Sequence, residues 1–545
     1  MLSPPNSTHR IDTWPFAFIA GKSRIRCKVP GEATIQCAGS ASGRHGLSAA
    51  ALGLLALCLA GCAVGPDWKR PLPPTASRYT ETPLADSTGS APARAGLDQH
   101  FVGGADVPGE WWQMFRSPEL TTLVARALQK NPSLAAAADA LRAAQENTLA
   151  QEGGWLPQLS AQFNRTRTEF GLGEEGLSRG VIGLPATFSI YDAQVNVSYT
   201  FDVWGQNARS VEADRAAAEA QAFTLEGAVN MLAANTATAA ITAASLIEQI
   251  KAEKALVEAE RQLLKTVRSQ FELGGATGTD VATQEAQLGN TEALVVPLQI
   301  QLGQTRDQLA AYVGRVPAEA AIPTITLDQL TLPGDLPVSL PSRLVDQRPD
   351  IRNAEAQLHE ATANIGVAVS NRLPQITLTG SVGSEPARIG NLFGPGNGEL
   401  NLLTQALTPV FEGGTLLHKQ RQAVASARQA ADTYRNTVIT AFQNVADVLT
   451  ALSGDAQALQ ANQRAERAAA RSLGLARMQY GAGGVAYLTV LTAQTQYQNA
   501  VIGLIKAEAA RYTDTVALFA ALGGGWWNRN DLPKPPENLL RSLLP

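Results

Sequence analysis

The chain has 545 residues, of which 44 are basic and 48 acidic, giving a net charge of −4, and 45% of its residues are hydrophobic. An acidic balance with no basic tract excludes nucleic acid as a partner class, because neutralising phosphates takes clustered Lys and Arg. Length alone allows roughly three domains at about 150 residues each, a count that internal repetition changes below.

Residues 1–43 form a leader longer than the signal after it needs, as a misassigned translation start would produce, and they are set aside in the fold argument. Arg44 and His45 then precede an uncharged apolar run over 47–60 that ends in Leu59-Ala60-Gly61-Cys62. A cationic flank, a short apolar region and small residues make a secretory signal, too short for a spanning helix. Leu-Ala-Gly directly before a cysteine resembles the bacterial lipobox. That resemblance implies cleavage before Cys62, a diacylglyceryl group on its thiol and acylation of the new amino group. Ala63 follows, where an aspartate commonly retains lipoproteins in the inner membrane, so the expected destination is the outer membrane. Cleavage removes six basic and two acidic residues and moves the net charge from −4 to −8. It also removes Cys27, Cys37 and Cys58, so neither a disulfide framework nor a cysteine metal site is expected. The expected cofactor complement is none beyond covalent lipid on Cys62.

An Ala-rich helix is expected over about residues 133–154, starting after Asn131-Pro132 and stopping at Gly153-Gly154. In "FSIYDAQVNVSYTFDVW", Val195, Val197, Tyr199, Phe201 and Val203 alternate with Asn196, Ser198, Thr200 and Asp202. Period two predicts a half-buried strand. From Gln206 to Leu273 there is no proline, and Leu246, Ile250, Val257, Leu264, Val267 and Phe271 step by 4, 7, 7, 3 and 4. Heptad spacing predicts a helix packed along another for its whole length, roughly 100 Å at ~1.5 Å per residue. The pair Gly274-Gly275 then reverses the chain into an antiparallel hairpin.

The same plan recurs. "RSQFELGGATGTDV" at 268–281 aligns with "RMQYGAGGVAYLTV" at 477–490 at a constant offset of 209. "WLPQLSAQF" from Trp155 parallels "RLPQITLTG" from Arg372, and "YTFDVWGQ" from Tyr199 parallels "LTPVFEGG" from Leu407. Three matched segments in one order mean an internal duplication. The second long helix is expected over about 414–480, reversing at Gly483-Gly484. Each half reads helix, strand, strand, long helix, glycine turn, helix.

No stretch after Cys62 has about 20 consecutive apolar residues, so no transmembrane helix is expected. A membrane strand needs only about 9–11 residues with alternating faces, provided the sheet closes. Four strands per chain cannot close a useful barrel, so several chains must share one. The loop "GSEPARIGNLFGPGNGEL" would then face outside the cell and the helical hairpins the periplasm.

"EWWQMFRSPELTTLVARALQKNPSL" and "QRPDIRNAEAQLHEATANIGVAVSNRLPQITLTGSVG", with this architecture, resemble the outer-membrane factor family, the TolC-like exit ducts of tripartite efflux pumps and type I secretion systems. The lipobox points to its lipoprotein branch. The resemblance covers essentially the mature chain and implies an α+β membrane protein: a trimeric β-barrel, four strands per chain, continuous with a long periplasmic α-helical barrel. It implies a passive duct for small-molecule efflux, a homotrimer docking a periplasmic adaptor protein and through it an inner-membrane transporter, with membrane lipid as its surroundings. It further implies the division 1–61 signal, 62–130 lipidated segment, 131–315 first repeat, 316–346 connector of an equatorial belt, 347–523 second repeat and 524–545 C-terminal equatorial segment. A secretion duct, and a coiled-coil spacer lipoprotein without a pore, are the alternatives. Paired alternating strands argue against the spacer, and the cargo is not readable.

By the same resemblance the periplasmic gate region is Asp280, Tyr480, Val485, Thr489 and Thr492. Many members carry an acid where Thr492 stands, and some a basic residue where Val485 stands. Their absence here puts cation selectivity of that kind in question, since a carboxylate ring would focus the field in a narrow pore. Asp280 reads either as the N-cap of a helix starting at Val281 or as a hydrogen-bond partner of Tyr480, and the two are compatible.

No enzyme is expected. His100, His359 and His418 lack metal-ligand spacing to one another and read as solvated positions. "GPGNGE" has no Lys-Ser/Thr after it. Asp346, Arg348 and Asp350 read as a helix start, with acid near the positive dipole end.

Overall fold

The computed structural model describes residues 63–169 and 187–529, so Cys62 and the signal lie outside the described residues. Helix α1 (Pro118–Lys130) starts at Ser117, whose hydroxyl accepts from Leu120 N at 3.3 Å. Helix α2 (Pro132–Glu152) starts at Asn131, whose side chain accepts from Ser133 N and Leu134 N. Both follow the pattern of a polar cap with proline at the first helical position.

Strands β2 (Gln158–Glu169) and β3 (Thr187–Phe201) lead into helix α3 (Gln206–Glu272), and α4 (Gly278–Tyr312) returns along it. The second half repeats this with α6 (Pro349–Ser370), β5 (Gln375–Ser384), β6 (Gly398–Leu407), α7 (Thr415–Gly481) and α8 (Tyr487–Ala521). Helices α3 and α7 are each 67 residues long and α4 and α8 each 35. At ~1.5 Å per residue the long pair run to about 100 Å.

The four strands form one antiparallel sheet in the order β2-β3-β5-β6. The helices that feed those strands pack in the corresponding order, α2 on α3, α3 on α6 and α6 on α7. The matching order follows from connectivity: each helix runs directly into, or out of, the strand above it. Helix α4 lies on α3, and α8 bridges α7 and α3. No described helix is long and apolar enough to cross a membrane.

Segments outside the repeats pack together. Strand β1 (His100–Gly103) pairs in parallel with β4 (Asp335–Val338), joining the N-terminal segment to the connector, and the short helix α5 (Pro341–Gln347) precedes α6. The aromatic core sits here: Trp111 stacks on Phe519 at 5.4 Å, with Phe115 and Tyr512 buried alongside. Arg511 of α8, fully buried, donates to Gln99 Oε1 at 2.8 Å and Leu97 O at 3.0 Å, while Gln99 Nε2 donates to Pro333 O and Thr515 Oγ1, both at 3.1 Å. Arg348 grips Asp350 through two nitrogens and donates to Ala521 O at 2.9 Å, satisfying a carbonyl at the end of α8.

The expected half-buried strand forms as β3, most of whose residues are half-buried, but Val203 lies past its end, and Val195 and Val197 are exposed while Asn196 between them is half-buried. The face that carries Val195 and Val197 is thus left uncovered by the rest of the chain, unlike the apolar face of a sheet in a water-soluble protein. Phe271, counted in the heptad seam, is 51% exposed, because it lies in the last turn of α3, where the chain turns away. His359 is not a freely solvated residue: its ring stacks on Trp68 at 4.7 Å and Nε2 is 3.0 Å from Glu212 Oε1.

The segment after Cys62 lies against this framework with backbones almost touching. Val64 N donates to Trp204 O at 3.0 Å, Arg209 pairs with Asp67 at 2.7 Å, and a Cβ on Gly366 would stand 2.7 Å from Val64 O and 2.8 Å from Arg209 Cγ. Gly366→Ala is therefore expected to cost about 1–3 kcal/mol through overpacking, read as a lower unfolding midpoint. It should also speed proteolysis of residues 63–70; unchanged stability and cleavage would show that the contact is not tight.

Candidate functional site

The sheet and the hairpin tips hold the positions to which the sequence assigns a function. Register fixes the faces of the sheet. Leu159 pairs with Val197, Val197 with Gly380 and Gly380 with Leu402, so these share one face, as do Phe163, Val195, Val382 and Leu400. Leu159, Leu400 and Leu402 are 72%, 81% and 73% exposed. The opposite face is polar: Gln162 and Asn164 each donate to Asp192 at 3.4 Å, and the hydroxyls of Thr200 and Thr377 are 3.1 Å apart. The sheet is open in the single chain, with β2 and β6 as its edges; four strands do not close, because a barrel interior must hold at least its own side chains.

At the tips both hairpins turn in the same way. Gly274 and Gly483 have φ of +78° and +75°, and Gly275 N and Gly484 N donate back to Gln270 O and Gln479 O at 2.7 and 2.8 Å. A left-handed residue followed by a bond five residues back is the Schellman ending, which favours glycine. These four glycines thus lie in the turns.

The structure brings some gate residues together and separates others. Asp280 is not the N-cap: Thr277 is, and its hydroxyl accepts from Asp280 N at 3.2 Å while the Asp280 carboxylate accepts from Thr277 N at 2.8 Å. This is a reciprocal capping box. The backbone N–H and then the hydroxyl of Thr277 hold the Asp280 carboxyl below its ordinary value. Tyr480 does not reach Asp280; its hydroxyl donates to Gln270 Oε1 at 3.1 Å and its ring packs against Tyr487 at 5.4 Å. Val485 is half-buried, and Thr489 and Thr492 are exposed, with Thr492 Oγ1 donating to Leu488 O one turn back.

Behind the tip lies a buried polar seam that the sequence reading passed over. Glu260 is 0% exposed; its Oε1 accepts from Gln494 and Thr291 at 3.1 Å and from Gln287 at 3.4 Å. Its Oε2 has no partner. Glu253 Oε2 accepts from Gln498 Nε2 at 2.7 Å, and Tyr487 donates to Gln284. These bonds tie α3 and α4 of the first hairpin to α8 of the second. A signal was available: the two seven-residue steps in the heptad of α3 skip the positions of Glu253 and Glu260.

Residues 123–315 and 340–524 match the outer membrane efflux protein family. The chain belongs to that family. Among its relatives, the pyoverdine export outer membrane protein OpmQ of Pseudomonas aeruginosa is 29% identical over 76% of this chain and 87% of its own length. The probable outer membrane lipoprotein SilC of Salmonella typhimurium is 27% identical over 86% and 96%. In fold, the Campylobacter jejuni CmeC outer membrane channel superposes with a TM-score of 0.77 over 86% of this chain and 97% of that one, at 20% identity. The protein is thus an outer-membrane efflux channel, of a family whose work is conduction and not bond chemistry.

Burial, set against the hydrogen bonds from Thr291, Gln494 and Gln287, raises the Glu260 carboxyl above its ordinary value of 4.5. An acid raised in the folded state contributes stability below its unfolded value, and that contribution is lost as pH rises through the folded one. The unfolding midpoint of the wild type should therefore fall as pH rises above 4.5, and Glu260→Gln should flatten that slope. Equal slopes in the two proteins would show that Glu260 does not titrate in the seam.

Proposed function

We propose that copies of this chain close their sheets into one barrel through the outer membrane, and that α2, α3, α6 and α7 continue it as the helical wall of a periplasmic duct. The observation that carries this is the shared order of sheet and helices, with β2 and α2 at one margin and β6 and α7 at the other. Both margins are open on the same two sides, so one rotation mates strand to strand and helix to helix. An outward apolar face and an inward polar one suit a wall between lipid and water. Family resemblance sets the number of copies at three.

On this reading the duct is passive and carries small solutes delivered by a periplasmic adaptor and an inner-membrane transporter. The division into two repeats and belt segments, 62–130, 316–346 and 524–545, is kept as the plan of each subunit. Cys62 is the lipid attachment point: Ala63 lies against Gly205, where the sheet meets α3, which would set the acyl chains at the inner margin of the apolar band. SilC, a relative, is named as a lipoprotein. Asp280, Tyr480, Val485, Thr489 and Thr492 form the constriction at the far end.

The native mass of the detergent-extracted protein, detergent subtracted, should equal three chains, and Cys62→Ser should lose the acyl mass while keeping the same assembly. A stable monomer would overturn the duct reading. In planar bilayers, Thr492→Asp should place a carboxylate ring at the constriction and shift the reversal potential toward cation preference. No shift would remove Thr492 from the pore lining.

A further inference from the structure

The outer end of the sheet sorts its charges by face. On β2 the outward series Leu159, Ala161, Phe163 gives way to Arg165 and Arg167, both exposed. Arg165 lies over the ring of Tyr191, 5.5 Å from its centroid. The β3–β5 register continues past the strand, where Tyr191 N donates to Pro386 O at 3.0 Å. Two residues on, Arg388 is exposed in the bend that follows the strand end. Glu169 is the one carboxylate of the described strands on this face, whereas Asp192, Glu385 and Glu399 fall on the polar face by register. Neither Arg167 nor Arg388 has a carboxylate partner among the described residues.

Such an arrangement is costly if the outward face meets only hydrocarbon, because unpaired guanidinium groups there must find water or an anion. An arginine on a tyrosine, at the end of an apolar band, instead marks the depth at which lipid headgroups begin. Guanidinium groups bind phosphate through paired donors. We propose that Arg165, Arg167 and Arg388 form a binding site for the phosphate groups of anionic lipid in the outer leaflet, with Tyr191 holding Arg165 in place. Phosphate-bearing glycolipid is the partner, bound once per subunit. The inference rests on the reading of this face as lipid-facing.

The test uses the full-length lipidated protein in a neutral detergent, titrated with lipid A, with phosphatidylcholine, or with inorganic phosphate, and followed by the thermal unfolding midpoint. Lipid A should raise the midpoint and the other two should not. The triple variant Arg165→Gln, Arg167→Gln, Arg388→Gln should need about tenfold or more lipid A for the same rise, since each basic residue near a membrane surface adds appreciably to binding. Lys251→Gln with Lys254→Gln, far along α3, should respond as the wild type does. An equal response of the triple variant, or an equal effect of phosphatidylcholine, overturns the site; an equal effect of inorganic phosphate turns it into a free-anion site. The detergent bound per particle, measured by sedimentation, separates the two levels. A normal belt without a lipid A response sinks only this inference, whereas no belt sinks the lipid-facing reading beneath it. If the triple variant fails to assemble, Arg167→Gln alone, at the position without a ring contact, carries the comparison.

Discussion

Backbone hydrogen bonding at the margins of the sheet is the constraint on which everything else depends. Four antiparallel strands satisfy one another internally, but β2 and β6 each present a row of unpaired N–H and C=O groups. Water can solvate such edges, whereas hydrocarbon cannot. With Leu159, Phe163, Leu400 and Leu402 on one face, the sheet is not built to stand in water either. On the proposed reading a further copy of the chain would pair each edge and lipid would meet the apolar face, and the helices, packed in the same order as the strands, have margins on the same two sides.

The length of the helices follows from a different balance. A 67-residue helix gains little from propensity alone and is held by packing along its whole course. Ala-rich faces let neighbours approach closely, but Glu253 and Glu260 interrupt the apolar seam where the first hairpin meets the second. A buried carboxylate with an oxygen left unpaired is a poor contributor to stability. Its effect is to make the seam near the tip weaker than the aromatic core around Trp111 and Phe519, and sensitive to protonation.

The segments outside the repeats do the opposite. Arg511, Gln99 and Pro333 draw three distant parts of the chain into one hydrogen-bonded group, and β1 with β4 adds a short sheet beside it. The strap at residues 63–70 extends this hold toward the sheet, through Asp67 to Arg209 and Arg70 to Glu355 at 2.7 Å.

Much of this was legible in the residues. Duplication, helix lengths and glycine turns follow from local rules, because a proline-free heptad run and a pair of glycines act over a few residues at a time; α3 and α7 end within a residue or two of where those signals put them. The division of strand faces was legible too, but not its sense: alternation in Val195 and Asn196 says that two environments exist, and only the sheet's position at the end of the helices says which faces outward. Asp280 and Tyr480 were brought to the same region by repeat matching; the Asp280 capping box with Thr277 is local, three residues away, whereas the bond from Tyr480 to Gln270, 210 residues away, was decided by tertiary geometry. The heptad steps marked the positions of Glu253 and Glu260, but their bonds to α8, like those of Arg511 to Gln99, depended on it. By itself the sequence determined the repeats, the turns and the alternation, which are local; the tertiary structure decided which polar groups meet across hundreds of residues, because burial and hydrogen bonding are properties of neighbours in space.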